Sequence, residues 1–114
     1  MNWVKLNNNY LQDIIEFAQK HYPKFDKMPV DLIQTIFETY KNSTCVFRNN
    51  RGFIRGFAVY QEWPDVLNFI MICLPFGSKH KNLKNILSGR SLLPNKKIVW
   101  FDEERMEGRG LCHH

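Results

Sequence analysis

Val66-Leu67-Asn68-Phe69-Ile70-Met71-Ile72-Cys73-Leu74 is a nearly unbroken apolar run, and Pro75-Phe76-Gly77-Ser78 ends it. Nine residues with a single polar side chain are too few for an ordinary buried helix. They read as a strand covered on both faces, in the middle of a sheet. The neighbours of that strand are legible on either side. Upstream, Trp63-Pro64-Asp65 makes a turn, and residues 53–60 form the preceding strand. Gly56 inside that strand marks a bulge or a close backbone approach. Asn49-Asn50-Arg51-Gly52 is a tight hairpin turn, because Asn and Gly accept positive φ. Residues 44–48 are its first arm. Downstream, residues 79–87 read as a basic helix with Leu83, Ile86 and Leu87 on one side. Ser88-Gly89 and Pro94-Asn95 break the chain before a last strand at 97–101. A helix joining two strands crosses the sheet, so this last strand should run parallel to 66–74.

The amino-terminal part supplies the rest. Trp3-Val4-Lys5-Leu6 alternates as an edge strand does, and Asn7-Asn8-Asn9 offers a turn and a helix cap. Leu11, Ile14, Ile15, Phe17 and Ala18 then form a helical stripe, with Asp13 and Glu16 off it. That helix should stop near His21, since Pro23 disfavours helix at Tyr22. Pro29 opens a second helix with Leu32, Ile33, Ile36, Phe37 and Tyr40 on its buried face and Asn42 as its stop. The order β, α, α, β, β, β, α, β predicts a single α+β domain over residues 1–102. Its sheet should be mixed and mostly antiparallel, with helices on both faces. Residues 103–114 read as a polar tail.

Composition bounds the function. Hydrophobic residues at 44% and charged residues at 24% exclude collagen, low-complexity and coiled-coil chains. Cys45, Cys73 and Cys112 show no framework spacing, so free thiols in a reducing compartment are expected. No apolar segment is long enough to span a bilayer, and residues 1–7 lack the features of a signal peptide, so a cytoplasmic setting is expected. The net charge of +5 is concentrated in residues 51–97, where eight basic residues face two acidic ones. Such a stretch attracts phosphate, nucleic acid or an acidic protein, and serves equally as a solvated face. Phe53, Phe57 and Tyr60 could stack bases beside Arg51 and Arg55. However, Phe53, Phe57 and Val59 share one strand face that should cover the helices, and no nucleic-acid-binding motif is present.

The element order is similar to that of the GNAT N-acyltransferase superfamily. A second likeness covers residues 43–110. Arg48-Asn49-Asn50-Arg51-Gly52-Phe53-Ile54-Arg55-Gly56-Phe57-Ala58-Val59-Tyr60, followed by a hydrophobic strand ending Leu74-Pro75-Phe76-Gly77, resembles the toxin-activating lysine acyltransferases. This resemblance implies a gap between the two central parallel strands, where a bulge leaves backbone groups free for the pantetheine arm of an acyl donor. It implies acyl-CoA or acyl carrier protein as that donor, held by Cys73, Leu74, Gly77, Ser78, Lys79, His80 and Lys81, with phosphate at the helix start.

The chain departs from both patterns. Met71 stands where the lysine acyltransferases carry a catalytic Asp, and their catalytic His falls near Lys24-Phe25-Asp26, with His21 the nearest imidazole. The glycine-rich phosphate signature is reduced to Gly77. The base candidates are therefore His21 and Glu62. Each has a plainer reading, His21 as a helix-end cation and Glu62 as an exposed turn carboxylate. Cys73 reads as a buried inert thiol, and Cys112-His113-His114 is too small a cluster for a metal site, so no metal is expected. Degenerate acyltransferase scaffolds occur among phage proteins, virion components included. The expected function is thus a non-catalytic interaction or structural subunit with a protein partner, as in a phage virion. An acyltransferase acting on an amine is the alternative.

Overall fold

The computed structural model describes residues 2–74 and 92–100. The strands are β1 (Asn2–Lys5), β2 (Thr44–Arg48), β3 (Ile54–Glu62), β4 (Val66–Cys73) and β5 (Lys97–Trp100). The helices α1 (Asn8–His21) and α2 (Val30–Thr39) lie between β1 and β2, with short 3-10 turns at Pro23–Phe25 and Lys41–Ser43. One sheet holds all five strands in the order β1-β2-β3-β4-β5. The first three pairings are antiparallel, and β4 pairs with β5 in parallel. This is the mixed α+β sheet expected, with β1 at an edge and β4 between two partners. The helix expected over 79–87 and the tail at 103–114 lie outside the described residues.

Local chemistry sets the helix limits. Asn7 takes an extended conformation, and its side-chain oxygen accepts the Asn9 N–H at 2.8 Å, as an N-cap does. At the other end Tyr22 turns extended ahead of Pro23 while its N–H still donates to the Ala18 carbonyl. The stripe Ile14, Ile15, Phe17 and Ala18 is buried against Ile33 and Phe37 of α2 and against Val46, Phe57, Val59 and Cys73 of the sheet. Leu32 departs from expectation and is 48% exposed. It lies about 100° around the helix from Ile33, outside the narrow face that meets the sheet. On the opposite face of the sheet a second core forms from Trp3, Cys45, Ala58, Tyr60, Leu67, Phe69, Ile72 and Leu74, with Leu92 and Leu93 against it.

Two bulges decide which side chains reach which core. In the β2–β3 ladder Phe47 faces Gly56 and Arg48 faces Ile54, so Arg55 is an extra residue on β3. In the β3–β4 ladder Val59 faces Met71 and Tyr60 faces Phe69, so Ile70 is an extra residue on β4. Each extra residue reverses the alternation that follows it. The first places Ile54, rather than Phe53, on the helix face with Phe57 and Val59. Phe53 is 57% exposed, which corrects the expectation that it packs under the helices. The second groups Leu67 and Phe69 with Ile72 and Leu74 on the far face, and leaves Cys73 on the helix face.

Residues 49–52 turn as the Asn and Gly predict. The Asn49 side chain accepts the N–H groups of Arg51 and Phe53, and Gly52 sits at φ +86°. Arg48 braces the loop: its Nε donates to the Gly52 carbonyl, and its Nη1 donates to the Tyr10 hydroxyl at 2.6 Å. A Cβ on Gly52 would come within 2.8 Å of Arg48 Nη2. The guanidinium can shift, so the positive φ carries most of the penalty. Gly52→Ala should cost about 1–2 kcal/mol, read as a lower urea midpoint at constant slope.

Candidate functional site

Among the described residues, the parallel partner of β4 accompanies it over half its length. β5 pairs with Val66, Leu67, Asn68 and Phe69, and the Ile70 bulge follows immediately. From Met71 to Cys73, β4 is laddered to β3 alone among the described residues. The side of β4 that turns away from β3 there presents backbone N–H and C=O groups without a strand partner among the described residues, and such groups seek one.

On the helix face, α1 and the foot of the β2–β3 hairpin line a cleft of about 350 Å³. Asp13, Glu16, Lys20 and His21 line it from α1, and Phe53 and Arg55 line it from the hairpin side. Residues 13, 16, 20 and 21 share one helix edge by their three- and four-residue spacing. His21 is half-buried, and its ring lies 4.7 Å from that of Phe17. Phe17 in turn meets Phe57 edge-on at 6.4 Å, and Phe57 stands opposite Cys73 in the ladder. His21 and the end of β4 therefore belong to the same end and the same face of the sheet. Arg55 is exposed, with its guanidinium carbon 5.9 Å from the Phe53 ring centre.

Glu62 is placed elsewhere. It pairs with Leu67 at the far end of β3, about 17 Å from Phe57 at roughly 3.3 Å per residue. Lys96 Nζ donates to its carboxylate at 2.7 Å and to the Trp63 carbonyl at 2.9 Å. His21 and Glu62 are thus not brought together, and they cannot serve one reacting atom. Cys73 and Leu74 are both buried, so only their backbone is offered to a ligand. Cys73 is disulfide-bonded, with its partner outside the described residues, which corrects the expectation of three free thiols. Cys45 is free, and burial pushes its thiol up to about 11. Gly77, Ser78, Lys79, His80 and Lys81 lie outside the described residues. Met71 is half-buried and packs toward the helix-face core, where a thioether offers no proton acceptor of use.

Arg55 and Phe53 are the cleft residues that the strand pattern misassigned or passed over. Gly56 was the available signal: a bulge beside it redirects both.

No protein-family model matches the chain, and no curated protein does. Among solved structures, a GNAT-family acetyltransferase from Staphylococcus aureus Mu50 superposes with a TM-score of 0.51 at 24% identity. The match covers 77% of this chain and 62% of that one, so the chain spans less than two thirds of its structural relative. Together with the element order and the parallel β4–β5 pair, this likeness establishes an α+β chain with a GNAT-like fold.

Proposed function

We propose that this chain binds an acyl thioester, acyl-CoA or acyl carrier protein, along the side of β4 that turns away from β3 and transfers the acyl group to an amine. The observation that carries the reading is the Ile70 bulge directly after the last β4–β5 pair among the described residues. It supports a groove in which the backbone of residues 71–73 hydrogen-bonds an extended amide-bearing arm. Bound there, the donor supplies an activated acyl carbon. His21 takes the amine proton from the cleft side. Lys79, His80 and Lys81 supply cationic and imidazole groups suited to phosphate in the sequence that follows.

Deleting Ile70 tests this directly. With that residue gone, Phe69 and Met71 become neighbours opposite Tyr60 and Val59, and a regular ladder forms without reversing either core face. The fold should survive, at a cost of about 1 kcal/mol for the lost Ile70 contacts. Coenzyme A should bind the native chain near micromolar by isothermal titration and the deletion variant at least tenfold more weakly. Unchanged affinity in a folded deletion variant, or no binding by the native chain at millimolar coenzyme A, sinks the reading.

A second reading keeps the scaffold without the chemistry, as a protein-binding subunit, including one of a phage particle. Met71 favours it, because a thioether stands where the resembling lysine acyltransferases carry a carboxylate. A stable assembly in light scattering, without thioester binding, is its expected result.

A further inference from the structure

The cleft between α1 and the hairpin foot carries charges of both signs around an apolar floor. Asp13 and Glu16, with Lys20 next to them, lie on the α1 side, Arg55 lies on the hairpin side, and Phe53 is exposed between strand and solvent. Among the described residues, neither Asp13 nor Glu16 nor Arg55 is in an ion pair. Opposite charges that line one cleft without closing on each other leave room for a ligand that bridges them. The Arg55 bulge produces this arrangement: it frees Phe53 from the core and sets the guanidinium at the mouth of the cleft. A volume of about 350 Å³ suits a ligand of amino-acid size.

We infer that the cleft binds a compact amino carboxylate, a free α-amino acid with an apolar side chain, as the acceptor of the transfer. This inference rests on the acyltransferase reading for its chemistry, though the binding site stands without it. The ammonium faces Asp13 and Glu16, the carboxylate pairs with Arg55, and the side chain lies on Phe53 and Phe17. In the transfer the amine nitrogen forms a bond to the thioester carbonyl carbon and the carbon–sulfur bond breaks. Of the two protons lost by the ammonium, one leaves with the sulfur as free thiol. The other passes through His21 to solvent.

Binding is measured without any donor, by amide chemical shifts of the ¹⁵N-labelled full chain titrated with three probes. L-phenylalanine carries both charges, phenethylamine only the ammonium, and 3-phenylpropionate only the carboxylate. L-phenylalanine should saturate at millimolar concentration or below, with each single-charge probe about tenfold weaker. Arg55→Gln should bring L-phenylalanine down to phenethylamine, and Glu16→Gln should bring it toward 3-phenylpropionate. Equal affinity for phenethylamine and L-phenylalanine in the native chain overturns the inference in favour of a simple amine site. Shifts that never saturate, or that ignore both substitutions, overturn it outright. Amino-acid binding without coenzyme A binding would remove the transferase reading and leave the site. Coenzyme A binding without amino-acid binding would do the reverse.

Discussion

Phe57→Ala should lower the stability of the fold by about 3–5 kcal/mol, the range for emptying a large aromatic from a packed core. Phe57 has no exposure and stands where three segments converge on β3. Phe37 of α2 meets its ring at 5.4 Å and 86°, Tyr22 after α1 at 5.5 Å and 70°, and Phe17 of α1 at 6.4 Å and 86°. All three are edge-to-face contacts, the geometry in which the positive rim of one ring meets the negative face of another. The side chain thus ties both helices and their connection to the sheet. A loss of 3–5 kcal/mol is a large share of the roughly 5–15 kcal/mol that holds a small domain together. The measurement is a urea titration followed by far-ultraviolet circular dichroism. Should the alanine variant fail to fold, Phe57→Leu keeps most of the volume and should cost about 1–2 kcal/mol. A loss below about 1 kcal/mol for Phe57→Ala would mean that the convergence of rings is not what joins helices to sheet.

The second large effect is alkaline. Burial pushes the Tyr22 phenol up to about 12 and the Cys45 thiol up to about 11, the latter against a smaller opposing pull from Lys5. Both groups are neutral when protonated, and both have folded values above the unfolded ones. Below pH 9 each is protonated in either state and stability is unaffected. Between about 9 and 11 the unfolded chain loses the Cys45 proton first, and between about 10 and 12 it loses that of Tyr22 first. Stability therefore falls as pH rises through the window from 9 to 12, by about 3 kcal/mol for each group. Urea midpoints measured across that window should drop steeply for the native chain. The double variant Tyr22→Phe plus Cys45→Ala should show a shallower decline. Parallel pH profiles for the two proteins would refute the assignment.

Much of this architecture is legible along the chain because it rests on local chemistry. The Asn7 cap, the stop imposed by Pro23 and the hairpin at 49–52 each follow from residues adjacent in sequence. The alternation within β3 and β4 is another matter. Phe53 looks like a partner of Phe57 and Val59 on the helix face, and nothing in its immediate neighbours contradicts that. Its exposure follows from Arg55 being an extra residue against Phe47 and Arg48, a relation between two strands rather than a property of one. Ile70 is harder still to read, since every residue around it is apolar and either face would accept it.

The candidate site divides in the same way. His21 is visible as the imidazole at the end of an amphipathic helix, and Glu62 as the carboxylate before a turn. Their separation is invisible until β3 is laid between them, one against Phe17, whose ring meets Phe57, and the other held by Lys96. The amino-acid sequence by itself determined the described elements, their order and the mixed character of the sheet, because capping, turn formation and apolar periodicity act over a few residues. The tertiary structure alone decided which side chains leave the core and gather at one cleft. Strand register is settled by the best simultaneous burial of both sheet faces, and that balance exists only once the strands are paired.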